Sequence, residues 1–304
     1  MKTVWGLFKA RDSSLAGARD DSKLAADSDS PRPESLSASN GSQNTSLNTS
    51  TSPWPGFPAL KDLFIFGDSY SAIGSASAVD WSRSRGGKHR ELPFKGETYA
   101  DADGTNWVGY LLAEHRDAEL RVHGYAEGGA RVSAVEAQVG AFLGGTAKPW
   151  DPARSLFVTW VGINDCAYAE THAETVGRLF HLEERLYAAG ARLFLFIDVP
   201  PIGRSPAGMR ASSDISATYT NWNDTLRSAV AAFAGAHPAA RVLTFSASDT
   251  FTRVLDDPGR HGFAEADVSA AGGAMWRDHL HPTSRVHRIL ARDIAAFLTS
   301  VSLR

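Results

Sequence analysis

Three residues in this sequence have the types and spacing needed for acyl transfer. Residues 67–70 (Gly-Asp-Ser-Tyr) follow a short apolar run, so Ser69 would stand at a sharp turn out of a strand. A serine placed there exposes its hydroxyl beside main-chain N–H groups that can hold an oxyanion. Asp278 and His281 are three residues apart. That spacing lets a carboxylate hold the imidazole Nδ1–H while Nε2 faces a serine.

Two further motifs carry groups that could stabilise negative charge. Residues 127–130 (Glu-Gly-Gly-Ala) include positions without a side chain, where a main-chain N–H can approach a ligand closely. Residues 162–165 (Gly-Ile-Asn-Asp) include Asn164, whose side-chain amide could point to the same place. Together with Ser69, these groups would complete a site for an acyl-transfer intermediate.

Each motif also has an ordinary structural explanation. Gly-Asp-Ser and Asn-Asp are common in turns and helix caps, and Gly-Gly suits a left-handed turn. Asp278 could cap a helix while His279 and His281 are solvated. The same three residues could instead bind a metal, although their spacing is not that of a helical zinc site and no third segment offers a matching Cys or His motif.

The sequence around these motifs predicts strands that alternate with helices. The apolar runs at 63–66, 120–125, 155–161, 192–198 and 241–246 have the length of core strands, and helical spacing covers 105–114, 171–189, 216–236 and 282 to about 298. This alternation predicts a parallel sheet covered on both faces, with ligands at the carboxyl ends of its strands. Because the motifs follow successive core elements on that side, a shared site is the most economical explanation.

The four motifs, in this order, resemble the conserved blocks of the SGNH or GDSL hydrolase superfamily over essentially residues 54–304. Segments 54–74, 96–111, 125–130 and 196–206 look like fungal acetyl esterases of carbohydrate esterase family 16. The resemblance implies a three-layer α/β/α, flavodoxin-like fold with a five-stranded parallel sheet. It also implies that Ser69 is the nucleophile, His281 the general base and Asp278 its orienting carboxylate.

The resemblance further assigns the oxyanion donors. Ser69 matches one main-chain donor, Gly129 the second and Asn164 the side-chain donor, while Gly128 is a competing match because the Gly-Gly pair can be aligned in two ways. One departure is visible, since many members have Asn where this chain has Gly124. The absence of that side chain could loosen the turn at Gly129.

The function implied is that of a serine esterase that hydrolyses acetyl esters, with carbohydrates such as hemicellulose oligosaccharides as substrates and no cofactor or metal. Two alternatives stay open. A GDSL lipase or thioesterase would act on longer acyl chains and need a long apolar channel. A non-catalytic binding module could keep the same fold, although the intact Ser69, Asp278 and His281 argue against it.

Composition excludes several classes of protein. The net charge of −3 over 304 residues gives no basic surface for nucleic acid or an anionic membrane, and no apolar run approaches the ~20 residues of a membrane helix. Cys166 stands alone, which rules out an intramolecular disulfide and favours a buried cysteine over a reactive one. A monomer that takes a small-molecule or oligosaccharide ester is expected.

The first 53 residues differ from the rest of the chain. Residues 11–53 contain no aromatic residue and 15 of their 43 positions are Ser or Thr, which predicts a disordered leader followed by one domain over 54–304. No secretory signal is evident, because charged residues interrupt the first apolar run. Three glycosylation sequons begin at Asn40, Asn44 and Asn48, which would suit a glycosylated extracellular spacer, although a tract rich in Asn, Ser and Thr also generates sequons by chance. The resemblance implies an extracellular enzyme.

Five large side chains near the motifs could wall a small acyl pocket, namely Tyr70, Ile73, Trp160, Ile163 and Trp276. Aromatic and branched residues at the ends of sheets are more often core residues, so burial is expected for most of them.

Overall fold

The computed structural model describes residues 44–46, 53–74, 94–115, 120–145, 149–168 and 172–301. Its sheet has six strands in the order β1-β6-β5-β4-β2-β3. The strands are β1 (Thr45–Ser46), β2 (Asp62–Gly67), β3 (Arg121–Gly124), β4 (Ser155–Trp160), β5 (Leu193–Ile197) and β6 (Arg241–Phe245). Strands β2 to β6 pair in parallel, which confirms the predicted five-stranded parallel sheet.

Strand β1 adds an antiparallel edge to this sheet. Its two residues come from the segment that composition assigned to the leader, and they pair with Leu243 and Thr244 of β6. The neighbouring Asn44 accepts a hydrogen bond from the Ser246 main-chain N–H over 2.6 Å. Most of the leader, including Asn40 and Asn48, lies outside the described residues, so the domain boundary at residue 54 stays a prediction.

Eight α-helices connect and cover the strands in the described part of the chain. They are α1 (Trp107–Glu114), α2 (Val132–Gly144), α3 (Ile163–Cys166), α4 (Ala173–Ala188), α5 (Pro206–Met209), α6 (Ser216–Ala236), α7 (Ala247–Asp256) and α8 (Ser284–Val301). Helices α1 and α7 pack on α8, while α2 and α6 pack on α4. These two groups make the outer layers of an α/β/α arrangement. None of the described helices is long and apolar enough to cross a membrane.

The central strands are buried along their whole length because helices cover both faces of the sheet. Every residue of β2, β4 and β5 is buried, which explains their nearly continuous apolar sequences. Aromatic rings connect neighbouring strands, as where Phe64 stacks on Phe157 with centroids 4.7 Å apart. This packing holds the ends of the strands, and the residues that follow them, in fixed positions.

The topology places three of the motifs side by side. The chain passes from β2 to β3 on one side and then returns to β4 on the other side of β2. The switch in direction therefore lies between β2 and β4, where open α/β sheets bind ligands. Residues 67–70, 127–130 and 162–165 follow the carboxyl ends of β2, β3 and β4 respectively.

Gly67 ends β2 in a conformation that only glycine can adopt there. Its φ is +149°, and a Cβ would lie 2.0 Å from the carbonyl oxygen of Trp160. The Gln138 side chain accepts from Gly67 N–H at 2.9 Å and donates to its carbonyl at 2.8 Å. The end of β2 is therefore in direct contact with β4 and α2 immediately before Ser69.

Candidate active site

The structure brings Ser69, His281 and Asp278 together in one hydrogen-bonded chain. The Ser69 Oγ lies 2.9 Å from His281 Nε2, although the two residues are 212 positions apart in sequence. His281 Nδ1 lies 2.7 Å from Asp278 Oδ2. When His281 Nδ1 carries the proton and donates a hydrogen bond to the Asp278 carboxylate, Nε2 is unprotonated and can accept the serine hydroxyl proton.

The loop that carries Asp278 and His281, here called the histidine loop (residues 278–281), is organised by Asp278. Its Oδ1 accepts the main-chain N–H groups of Leu280 and His281, each over 2.7 Å. Burial raises the pKa of Asp278, but the hydrogen bonds and charge of His281 and these N–H groups outweigh burial and lower the pKa to about 2. The carboxylate is therefore ionised and holds the imidazole in one orientation.

Two main-chain hydrogen bonds fix the histidine loop to its surroundings. The Ala207 N–H of α5 donates to the His279 carbonyl over 2.9 Å, and the Arg277 N–H donates to the His281 carbonyl over 2.9 Å. The predicted start of the following helix at Pro282 is wrong by two residues. Pro282 instead forms a β-bridge with Trp276, and α8 begins at Ser284.

The glycine turn (residues 127–130) is tied to the serine segment and to Asn164. The Glu127 N–H donates to the Gly67 carbonyl over 3.1 Å, and the turn closes with Ala130 N–H donating to the Glu127 carbonyl. Asn164 Nδ2 donates to the Ala130 carbonyl over 2.9 Å. Because an amide nitrogen carries two protons, this bond leaves Asn164 one further proton to donate.

The two glycines of this turn are required for different reasons, one for its backbone conformation and the other for the space around it. Gly129 has φ +74°, a left-handed conformation, while no described atom outside its own chain neighbours lies within 4 Å of a Cβ built on it. Gly128 has a φ outside that region, but a Cβ there would lie 1.9 Å from the Tyr99 hydroxyl oxygen. Gly129 is needed for the turn itself, and Gly128 makes room for Tyr99.

Two buried carboxyl groups, Asp68 next to Ser69 in sequence and Asp165 next to Asn164, do not belong to the hydrogen-bonded chain. Burial raises the pKa of Asp68 to about 7, and the nearby Asp165 charge contributes in the same direction. Burial also raises the pKa of Asp165 to about 6, although it accepts the Val132 N–H at the start of α2. Asp68 Oδ1 accepts the Tyr70 N–H, whereas its Oδ2 has no hydrogen-bond partner among the described residues.

His279 lies apart from the Ser69–His281–Asp278 chain. Its side chain is exposed, and its Nδ1 lies 2.7 Å from the Arg210 guanidinium. Within the described ranges, no group of three or more His, Cys, Asp or Glu side chains is placed to hold a metal ion. The geometry thus favours a hydrogen-bonded pair of Asp278 and His281 over a shared histidine site.

The structure gives a steric reason why residue 124 is glycine here, where the resemblance predicts asparagine. A Cβ at this position would lie 2.6 Å from Cγ1 of Ile73, which is itself 1% exposed. An asparagine at residue 124 would therefore require the core around Ile73 to shift. The glycine turn is held through Glu127 and Asn164 instead, as described above.

The structure confirms two expectations about burial. The five large side chains near the motifs all belong to the hydrophobic core, namely Tyr70, Ile73, Trp160, Ile163 and Trp276. Cys166 is buried, and burial raises the pKa of its thiol. Its Sγ lies 3.9 Å from His172 Nε2 and from the Thr218 carbonyl oxygen.

Tyr99 is a residue near the site that the sequence did not single out. Its ring stacks on the imidazole of His281 with centroids 5.1 Å apart and 30° between the planes. It lies in segment 96–111, which the resemblance covers, but nothing in that segment assigned the tyrosine to the site, and only the folded structure places it there.

Comparison with known proteins gives the family. The profile of the family described as GDSL-like Lipase/Acylhydrolase matches residues 63–294. An acetylesterase of Thermothelomyces thermophilus is 27% identical over 269 residues, which cover 78% of this chain and 88% of that protein. A phosphatidylcholine-sterol acyltransferase of Aeromonas hydrophila is 25% identical over 247 residues, which cover 72% of this chain and 68% of that one.

Solved structures share the fold. An alpha/beta hydrolase enzyme from the metagenome of Lake Arreo, Spain, superposes with a TM-score of 0.50 at 18% identity, covering 82% of this chain and 100% of that chain. A catalytic mutant of an acetylxylan esterase from Geobacillus stearothermophilus superposes with a TM-score of 0.50 at 15% identity. The match covers 78% of this chain and 94% of that chain. The chain belongs to the GDSL-like lipase/acylhydrolase family and is an ester hydrolase.

Proposed function

We propose that this protein hydrolyses acetyl esters of carbohydrates through an acyl-enzyme formed on Ser69. The observation that carries the proposal is the hydrogen-bonded chain from Ser69 Oγ through His281 to Asp278, with distances of 2.9 and 2.7 Å. A serine whose hydroxyl is bonded to an oriented imidazole is the arrangement required for nucleophilic attack on an ester.

In the first half-reaction, Ser69 Oγ attacks the ester carbonyl carbon while its proton passes to His281 Nε2. The ionised Asp278 stabilises the imidazolium that forms. The carbonyl oxygen becomes an oxyanion, which accepts hydrogen bonds from the main-chain N–H groups of Ser69 and Gly129 and from the spare amide proton of Asn164. Each such donor contributes about 3 kcal/mol to the stability of the transition state.

The tetrahedral intermediate then collapses with cleavage of the bond to the alcohol oxygen. His281 gives its proton to that oxygen, so the alcohol leaves neutral and the acyl group stays on Ser69. In the second half-reaction, water attacks the acyl carbon while His281 takes a proton from it and returns that proton to Ser69 Oγ. The acid is released and the enzyme is restored.

Two observations support a short acyl group. The acetylesterase relative from Thermothelomyces thermophilus acts, by its name, on acetyl esters. In addition, the residue after the nucleophile, Tyr70, is fully buried and packs edge-on against Trp160 with centroids 5.4 Å apart. This close packing fills the core next to the serine, which favours a short acyl group over the long chain of a lipase substrate.

The esterase proposal is tested with Ser69→Ala and an acyl-chain series from acetyl to decanoyl 4-nitrophenyl esters. We expect the wild-type protein to prefer acetyl esters and Ser69→Ala to lose hydrolysis with an unchanged thermal unfolding curve. A fluorophosphonate should label the wild-type protein and Ser71→Ala, but not Ser69→Ala. Wild-type turnover in Ser69→Ala would refute the mechanism, and a decanoyl preference would instead support a lipase.

We also propose that residues 54–304 form the catalytic domain and that the enzyme acts as a monomer outside the cell. The family match begins at residue 63, and the three sequons at Asn40, Asn44 and Asn48 suit an exported chain. Size-exclusion chromatography tests the monomer. Recovery of the protein with N-linked glycans from the medium of a eukaryotic host would support export, and retention inside the cells would contradict it.

A further inference from the structure

Tyr99 occupies a position in contact with the general base and with the glycine turn. Its ring stacks on the His281 imidazole, and its hydroxyl oxygen takes the place that a Cβ of Gly128 would need. The side chain nevertheless keeps 40% of its surface exposed, which is unusual for an aromatic residue in so confined a place. A substrate bound at the site could therefore contact both the aromatic face and the hydroxyl of Tyr99.

The segment that presents Tyr99 is anchored on both sides. The Gly96 N–H donates to the Gly104 carbonyl over 3.2 Å, which closes a compact loop around the tyrosine. Within that loop, the Asp101 carboxylate accepts the Ser284 N–H at 2.9 Å and the Ser284 hydroxyl at 2.6 Å. The loop is therefore fixed to the start of α8, and the position of Tyr99 over His281 is set by the fold.

The chemistry of the reaction determines which part of the ester meets Tyr99. His281 Nε2 must deliver its proton to the oxygen of the departing alcohol, so that oxygen lies within hydrogen-bond distance of the imidazole. A side chain stacked on the imidazole therefore flanks the alcohol. In a sugar ester that alcohol is a ring, which has an apolar C–H face and hydroxyl groups at its edge.

We propose that Tyr99 forms a subsite for the sugar ring of the leaving alcohol, with its aromatic face against the C–H face of the sugar and its hydroxyl able to bond a sugar hydroxyl. This inference rests on the proposed function and specifies where the carbohydrate part of the substrate binds. A simple aliphatic alcohol lacks the flat face and the hydroxyl groups, so it gains little from Tyr99.

The test compares two acetyl esters that differ only in the alcohol, a monoacetylated methyl β-D-xyloside and ethyl acetate. Both esters are attacked by the same Ser69–His281 pair, so a general loss of base strength at His281 lowers both kcat/KM values, whereas loss of a sugar contact lowers only that of the xyloside. The quantity compared is the substrate ratio, kcat/KM for the xyloside ester divided by kcat/KM for ethyl acetate. We expect Tyr99→Leu to lower this ratio about five- to tenfold, mainly through a higher KM for the sugar ester. Tyr99→Phe keeps the ring and should hold that ratio within about threefold of wild type.

Tyr168 provides a matched control. It is also an exposed tyrosine, at 48%, but it follows the Asn164 motif and its ring lies 4.8 Å from the guanidinium carbon of Arg131. Tyr168→Leu should leave the substrate ratio within twofold. An unchanged ratio in Tyr99→Leu, or an equal fall in Tyr168→Leu, would overturn the subsite at Tyr99.

Failure of the proposed function would look different from failure of the subsite. A wild-type protein that hydrolyses neither ester overturns the esterase mechanism and the subsite together. One that hydrolyses ethyl acetate but not the sugar ester keeps the esterase and overturns both the carbohydrate substrate and the subsite. Hydrolysis of both esters, with a ratio that Tyr99→Leu does not change, overturns the subsite alone.

Discussion

The hydroxyl of Tyr70 donates a hydrogen bond to the main-chain carbonyl of Leu280 over 2.7 Å, across 210 positions of sequence. Tyr70 is the residue after Ser69, the proposed nucleophile, and Leu280 is the residue before His281, the proposed base. This bond joins the turn that carries Ser69 directly to the histidine loop. Since the Tyr70 side chain is fully buried, it can set the distance between the serine and the imidazole.

We predict that Tyr70→Phe lowers kcat about three- to tenfold while KM stays within twofold. The phenylalanine keeps the packing but leaves the Leu280 carbonyl without its donor. The hydrogen bond between His281 Nε2 and Ser69 Oγ remains, but the hydrogen bond from Tyr70 that helps hold the histidine loop beside Ser69 is lost. Loss of the buried hydrogen bond should also cost about 1–2 kcal/mol of unfolding free energy. Steady-state kinetics and urea unfolding measure the two effects.

Tyr187→Phe is the control for this prediction, because Tyr187 is a half-buried tyrosine near the C-terminal end of α4, away from the carboxyl ends of the strands. It should leave kcat unchanged. If Tyr70→Phe unfolds more easily but turns over at the wild-type rate, Tyr70 is structural only and does not position His281.

The neighbouring histidines should respond very differently to removal. His281→Ala deletes the proposed base and should lower kcat at least about 10³-fold, as loss of a triad member does in known serine hydrolases. His279→Ala removes an exposed ring that pairs with Arg210, and activity should stay within about twofold because the main-chain bond from Ala207 to residue 279 is kept. Comparable losses in the two variants would instead indicate a site shared by both histidines.

The buried Asp68 should make the protein less stable as pH rises. An ordinary aspartate has a pKa of 3.8, and burial raises that of Asp68 to about 7. Between these values the folded protein holds a proton that the unfolded chain has released, so the free energy of unfolding falls as pH increases from about 4 to 7. A pKa shift of this size can lower the free energy of unfolding by at most about 4 kcal/mol over this pH range.

Asp68→Asn cannot ionise and should escape this loss. We expect its unfolding free energy, relative to wild type, to rise between pH 4.5 and pH 8 in urea titrations. Other buried carboxyl groups such as Glu183 and Asp198 contribute equally to both proteins and cancel in the difference. A difference between the two proteins that is the same at both pH values would mean that Asp68 is ionised throughout or titrates normally.

The central elements could be predicted because their sequences have a single reasonable interpretation. Strands β2, β4 and β5 are continuous apolar runs, and α6 was predicted with the bounds that the structure has. Helix α2 was missed, since its small residues, among them Gly140 and Gly144, give a weak helical pattern. Helix α7 was also missed, although Phe251, Val254 and Leu255 form an apolar face that could have been recognised.

The site was predictable to the extent that it depends on strand ends. Parallel strands bring their carboxyl ends to one edge, so motifs after β2, β3 and β4 had to meet there. The contacts of Tyr70 with Leu280 and of Tyr99 with His281 depend instead on how irregular loops lie in space. Tyr70 ends the 67–70 motif and Tyr99 lies in segment 96–111, but neither pattern specifies these contacts, which were found only in the folded structure.

Gly128 and Gly129 should differ in how they depend on Tyr99. The three atoms nearest to a Cβ at Gly128 all belong to Tyr99, at 1.9, 2.5 and 3.1 Å. Alanine there must displace the tyrosine, but its backbone conformation is otherwise allowed. Alanine at Gly129 meets no such neighbour and instead incurs the cost of a left-handed conformation, about 1–2 kcal/mol, whatever residue 99 is.

A double-mutant cycle tests this difference. Gly128→Ala should lower kcat/KM for the acetylated xyloside about three- to tenfold in the wild-type background and by less than twofold when Tyr99→Leu is already present. Gly129→Ala should lower it by the same factor in both backgrounds, because its cost arises in the backbone. If Gly128→Ala were equally harmful with and without Tyr99, the glycine would serve the turn itself, and the hydroxyl of Tyr99 would not be the reason that residue 128 lacks a side chain.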